Sequence, residues 1–165
     1  MLGNEILFMH RSVFKTALFF LLVLLSFTTE AYGVSSKTYY RQGNKYFTQK
    51  KFDRAIEKYR MAIQVNSHVA DYHYKLAESY RLKELPDEAI GCYKDAITID
   101  SQYYAAYAGL GEIFFKMGQS EEAVRYYRQA IEVCSTESKD HFFLGRICEI
   151  QGDPESAIKE YERAI

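Results

Sequence analysis

The stretch ADYHYKLAESYRLKELPDEAIGCYKDAITIDSQY, residues 70–103, decides the fold because its pattern occurs three more times. Stepping 34 residues either way from Ala77 gives Gly43, Gly111 and Gly145, all small. The same step from Ala89 gives Ala55, Ala123 and Ala157, and from Tyr93 it gives Tyr59, Tyr127 and Tyr161. Ala96 corresponds to Ala62, Ala130 and Ala164, and each is followed by an isoleucine: Ile63, Ile97, Ile131 and Ile165. Aromatics recur at Tyr46, Tyr80 and Phe114, with Cys148 the departure, and Leu76, Leu110 and Leu144 precede the small residue where the first copy has Gln42. Self-similarity at a fixed period of this size marks a repeat architecture.

The columns have a physical reading. Each copy reads as two amphipathic helices, in the quoted stretch Asp71–Lys83 and Pro86–Ile99, joined by Lys83-Glu84-Leu85. Pro86 suits a first helical turn, where its missing N–H has no intrahelical partner to lose. Gly118 and Gly152 supply the turn in later copies. The small column lets the helices of a pair approach closely, and the tyrosine and isoleucine columns fill the seam to the next pair. A single unit cannot bury its apolar face alone, whereas three or more stacked units can. The expected fold is therefore all-α: an α-α superhelix of four helix-turn-helix repeats spanning 36–69, 70–103, 104–137 and 138–165, the last truncated.

The pattern of Leu-Gly/Ala, an aromatic three residues on, then Ala, Tyr and Ala resembles the tetratricopeptide repeat (TPR), and the resemblance runs from Ser36 to Ile165. The family's closing proline is replaced by Ser67, Ser101 and Ser135, residues suited to capping the next helix or closing a turn. The chain stops at Ile165 inside a second helix without a polar cap. Solenoids need one, so the reading is either a piece of a longer protein or a seam for self-association through the uncapped C-terminal repeat.

Residues 1–33 read as an address. Arg11 and Lys15 precede the uncharged stretch Thr16–Thr29, and Ala31-Tyr32-Gly33 ends it with small residues around a larger one. Such an order describes a secretory signal peptide. Its fourteen uncharged residues reach about 21 Å as a helix, short of the roughly 30 Å hydrocarbon core. Cleavage after Gly33 and export, to a periplasm or a secretory lumen, is the preferred reading; an uncleaved membrane anchor over 16–29 is the second.

The resemblance implies that the first helix of each repeat lines a concave groove for a protein or peptide ligand. Carried over residue by residue, the lining includes Tyr40, Asn44 and Phe47 in the first repeat and Tyr74, Lys75, Glu78 and Arg81 in the second. Glu112 and Phe115 follow in the third, and Phe142 and Arg146 in the fourth. Lys37 and Arg41 lie on the first ribbon too. Rings with polar tips give large contact area for little lost rotamer freedom, although any one of them could equally pack between helices. The charges could equally form local i,i+3 and i,i+4 pairs. One branch of the family holds a chaperone's terminal carboxylate with Lys, Asn, Asn, Lys and Arg. The matching positions here are Tyr40, Asn44, Lys75, Ala105 and Gly109, and only Asn44 agrees, so a co-chaperone of that kind is not expected.

Other chemistry is not signalled. The 21 Lys and Arg against 22 Asp and Glu leave a net charge of -1, with no excess to neutralise phosphates, so nucleic-acid binding is not expected. Cys92, Cys134 and Cys148 have no CxxC spacing and read as buried thiols, or as one optional disulfide. Cys134, His141 and Cys148 lie seven apart, about 10.5 Å along a helix, too far to share one zinc. His73 and His141 share the packing slot of Tyr39 and Tyr107. No phosphate-binding loop, zinc-protease motif or nucleophile elbow occurs. The expectation is a non-enzymatic adaptor without cofactor or metal. The rivals are the non-catalytic arm of a longer enzyme, such as a transferase, and a membrane-tethered assembly scaffold.

Overall fold

The computed structural model describes residues 35–133 and 137–165, and Ser35–Ile165 forms one compact unit. The expected signal or anchor over 1–33 lies outside the described residues. Among the described residues eight α-helices follow in order: α1 (Ser36–Thr48), α2 (Phe52–Val65), α3 (Ala70–Leu82), α4 (Pro86–Ile99), α5 (Tyr104–Lys116), α6 (Ser120–Val133), α7 (Glu137–Ile150) and α8 (Pro154–Arg163). They form four antiparallel pairs stacked in sequence, each second helix also packing on the first helix of the next pair. In addition α3 touches α5, and side-chain bonds run between successive first helices. That places the first helices on the inner side of the stack.

The conserved-looking columns turn out to be one packing rule repeated. Tyr59, Tyr93 and Tyr127 are all buried, with Ala55, Ala89 and Ala123 one turn before them also buried. The rings of Tyr59, Tyr127 and Tyr161 lie against the small residue of their own pair, whereas that of Tyr93 closes on Gly109 of the next pair. A Cβ at Gly43 would sit 2.5 Å from the Tyr59 ring, and one at Gly145 would sit 2.4 Å from Tyr161. Full burial of a ring of this size contributes on the order of 2–3 kcal/mol from apolar area alone. Two apolar clusters result, one spanning α1 to α5 around Tyr59 and Tyr93, the other around Tyr127, Phe143 and Ile147.

The turns within pairs share one geometry. The N–H of Lys51, Leu85, Gln119 and Asp153 reaches back to the carbonyl of Tyr46, Tyr80, Phe114 and Cys148 respectively, at 2.9–3.0 Å. The residue before each donor has a left-handed backbone, with φ of 57° at Lys50, 59° at Glu84, 73° at Gly118 and 76° at Gly152. This is the Schellman helix end, for which glycine is the unstrained choice. Two pairs use it and two carry a side chain there.

The turns between pairs correct one expectation. Ser67 and Ser101 do not cap the following helices: Val69 and Tyr103 hold the N-cap positions, without side-chain bonds. The side chains of Asn66 and Asp100 close these turns by accepting from the N–H of His68 (3.1 Å) and Gln102 (3.0 Å). The serines contribute their carbonyls instead. His73 Nε2–H donates to the Ser67 carbonyl at 3.0 Å, and the Tyr107 hydroxyl donates to that of Ser101 at 3.4 Å. Ser135 lies outside the described residues.

Candidate functional site

The inner face is organised by a polar column one residue beyond the small residues. The tyrosine hydroxyls that reach through the pairs end there. Tyr59 donates to Asn44 Oδ1 at 2.7 Å, Tyr93 to Glu78 Oε1, and Tyr127 to Glu112 Oε2 at 3.1 Å. In the fourth pair the column holds Arg146, and Tyr161 donates to Glu149 Oε2 at 2.9 Å instead. A tyrosine of a second helix thus holds a polar side chain of the first helix in place. Burial raises the hydroxyl pKa of these tyrosines, to about 12 at Tyr127, so they remain donors at any physiological pH.

Glu78 and Arg81 form a bidentate pair at 3.0 and 2.8 Å. Burial pushes the Glu78 carboxyl up, but Arg81 and the Tyr93 hydroxyl outweigh it and hold the pKa below its ordinary value. Glu112 receives Arg146 Nη2 at 2.7 Å, and Glu149 receives Arg146 Nη1 at 2.7 Å. The same guanidinium lies 4.6 Å above the centre of the Phe115 ring. Arg146 therefore ties α7 to α5. Between α1 and α3 the link is different: Asp71 accepts from Tyr40 and, at 2.7 Å, from Tyr103.

The eleven residues named for the groove separate into two groups. Asn44, Glu78, Arg81, Glu112 and Arg146 are engaged with partners inside the protein, and Phe115 lies under Arg146. Tyr40 is half-buried, stacked on Tyr72 at 4.9 Å, with its hydroxyl on Asp71. Tyr74 and Phe47 pack at the margin of the first apolar cluster. Lys75 is left between them, its Nζ 5.4 Å from the Tyr74 ring centre and 5.9 Å from that of Phe47. No carboxylate pairs with it among the described residues. Phe142, 47% exposed, is the most open of the named rings. Its neighbour Phe143 is instead buried against Tyr127.

The sequence reading passed over Asp71 and Tyr103 as a bridging pair. Tyr103 closes an inter-repeat loop, and nothing in the 34-residue register announces that its hydroxyl returns to α3. Cys92 and Cys148 are half-buried free thiols, and burial raises the Cys92 thiol to about 11, away from nucleophilic use. His141 bonds Glu160 at 2.7 Å. Among the described residues no group of three His, Cys, Asp or Glu could hold a metal, and no helix is long and apolar enough to cross a membrane.

Stacked helix pairs with a ring-lined inner face define a helical-repeat interaction scaffold. The chain belongs to the tetratricopeptide-repeat family: the model described as "Tetratricopeptide repeat" matches residues 68–136 and 102–165, and one described as "TPR repeat" matches 43–83. Among solved structures it is similar to MamA, with a TM-score of 0.68 and 22% identity over 84% of this chain and 81% of that one. A second MamA structure gives 0.67 and 22% over 82% and 74%. The first TPR domain of Spaghetti (RPAP3), bound to the HSP90 peptide SRMEEVD, gives 0.66 and 22% over 72% and 91%. No curated protein matches the chain.

Proposed function

We propose that this chain is an exported, non-catalytic interaction module that holds an extended segment of a partner protein along its inner face, centred on α1 and α3. The observation that carries the reading is Lys75: a cation on the inner face, between two aromatic rings, with no carboxylate of its own. The carboxylates nearby are already engaged, Glu78 by Arg81 and Tyr93, Asp71 by Tyr40 and Tyr103. An arriving acidic side chain or terminal carboxylate would meet Lys75 without competing against an internal ion pair, and its apolar neighbours would cover Phe47 and Tyr74. The structurally similar RPAP3 domain takes an acidic peptide on the same fold, which supports the ligand class. Of the Lys and Asn positions of that branch only Asn44 is reproduced here, so a different acidic segment is the expected ligand.

Affinity capture from the native cells, with intact mass measured on the bait, tests this reading. Loss of residues 1–33 and enrichment of exported proteins by the wild type, but not by Lys75→Glu, is the expected result. A bait that keeps its N-terminus, or equal capture by Lys75→Glu, contradicts export or the site respectively. A second reading, a membrane-tethered scaffold with residues 16–29 retained, is favoured by the charge of α1.

A further inference from the structure

The net charge of the whole chain hides a segregation. Residues 35–69 hold eight Lys and Arg against two Asp and Glu, whereas residues 70–165 hold eleven against eighteen. From Ala31 to Phe52 there is no acidic residue, but there are five cations: Lys37, Arg41, Lys45, Lys50 and Lys51. The first three recur at four-residue spacing, so they form one stripe along α1, about 12 Å from first to last. All three are exposed, and none has an ion-pair partner among the described residues. No described helix packs on the far side of α1.

Like charges at i,i+4 repel and weaken a helix. The inner-face pairs Glu78–Arg81 on α3 and Arg146–Glu149 on α7 show the opposite, stabilising choice. Folding alone does not call for the α1 arrangement. Beyond the turn, a cleft of about 310 Å³ lined by Lys50, Lys51, Arg54 and Lys83 extends the basic surface, and its acid, Asp53, is paired with Lys83.

We infer that α1 and the turn after it dock on an anionic membrane surface, the helix lying flat with Lys37, Arg41 and Lys45 against the phosphates of the headgroups. The inference does not use Lys75: it rests on the exposed stripe Lys37, Arg41 and Lys45, of which Lys37 and Arg41 also belong to the ribbon implied for the groove. Two observations favour a bilayer over an acidic polypeptide. The cations are spread along a line instead of converging on a point, which fits a plane of many separate phosphates. The uncharged segment Thr16–Thr29 ends seven residues before Ser36, and seven residues span at most about 25 Å. Before any cleavage after Gly33, a bilayer that takes up that segment lies within this reach of Ser36, and clustered Lys and Arg near such a surface bind anionic lipid.

The test is partition of the full chain between buffer and vesicles, comparing phosphatidylcholine alone with phosphatidylcholine containing phosphatidylglycerol. The apolar segment contributes to both compositions alike, so the ratio of the two isolates the charged face. The wild type should prefer the anionic vesicles, and added salt should erase the preference. The triple variant Lys37→Gln, Arg41→Gln, Lys45→Gln should reduce it roughly a hundredfold while leaving the melting temperature unchanged or raised. Lys94→Gln, Arg128→Gln and Lys159→Gln, on exposed positions elsewhere, should leave it intact. A wild type indifferent to lipid charge, or a preference that survives the triple variant, overturns the inference. So does capture by poly-glutamate through the stripe when anionic vesicles are ignored, because the face would then belong to an acidic polypeptide.

Discussion

The two ends of the inner face use the same scaffold for opposite purposes. Between α5 and α7, the cation Arg146 is met by Glu112 and Glu149 and covers Phe115. Between α1 and α3, the cation Lys75 lies beside two rings without a carboxylate in ion-pair contact, and feels Glu78 only at longer range. The first arrangement satisfies its charges internally and joins two repeats. The second leaves a cation whose direct ion-pair position is open to solvent or a ligand. A residue's place in a repeat therefore does not decide whether it holds the protein together or faces a partner; its neighbours' charges do.

The comparison can be broken first through the tyrosine column beneath it. Tyr93→Ala should lower stability by about 3–5 kcal/mol, the range for emptying a buried aromatic site. The equivalent Tyr161→Ala, half-buried in the last pair, should cost less than half of that in chemical denaturation. Equal losses would show that the columns are not stacked as described. Next, Arg146→Ala should destabilise by about 1–2 kcal/mol, because it strands two carboxylates at a partly exposed site. Lys75→Ala should change stability by less than about 0.5 kcal/mol while weakening partner binding. If the two variants behave alike, the two ends do not differ as described.

Smaller effects sharpen the picture. Glu84→Gly should stabilise by about 0.5–1 kcal/mol by relieving a left-handed side chain, and Gly118→Ala should destabilise by a similar amount. The acid limb gives the smallest signal. The Glu78 pKa is lowered in the folded state, so its contribution is fully present above the ordinary carboxylate value and is lost as pH falls through the lower folded value. Stability measured downward from pH 5 should therefore fall less steeply in Glu78→Gln than in the wild type.

Much of the fold was legible because packing writes a column: Gly43, Gly111 and Gly145 must be small where tyrosine rings lie on them, and the chain repeats that demand every 34 residues. The inter-repeat turns were not legible, because Asn66 and Asp100 do the closing that was expected of Ser67 and Ser101. The inner face was legible as positions but not as states. The family resemblance implies that Arg81 and Arg146 line the groove, yet not that Glu78 and Glu112 already hold them. The basic face of α1 was obscured for a simpler reason: a net charge summed over the whole chain cancels a cationic first repeat against acidic later ones.

The most direct test of the central claim is a hydrogen-exchange footprint of the chain with and without its captured partner. The account predicts new protection in α1 and α3, around Phe47, Tyr74 and Lys75, with α7 unchanged. Protection confined to α5 and α7, or to the second helices of the pairs, would contradict it.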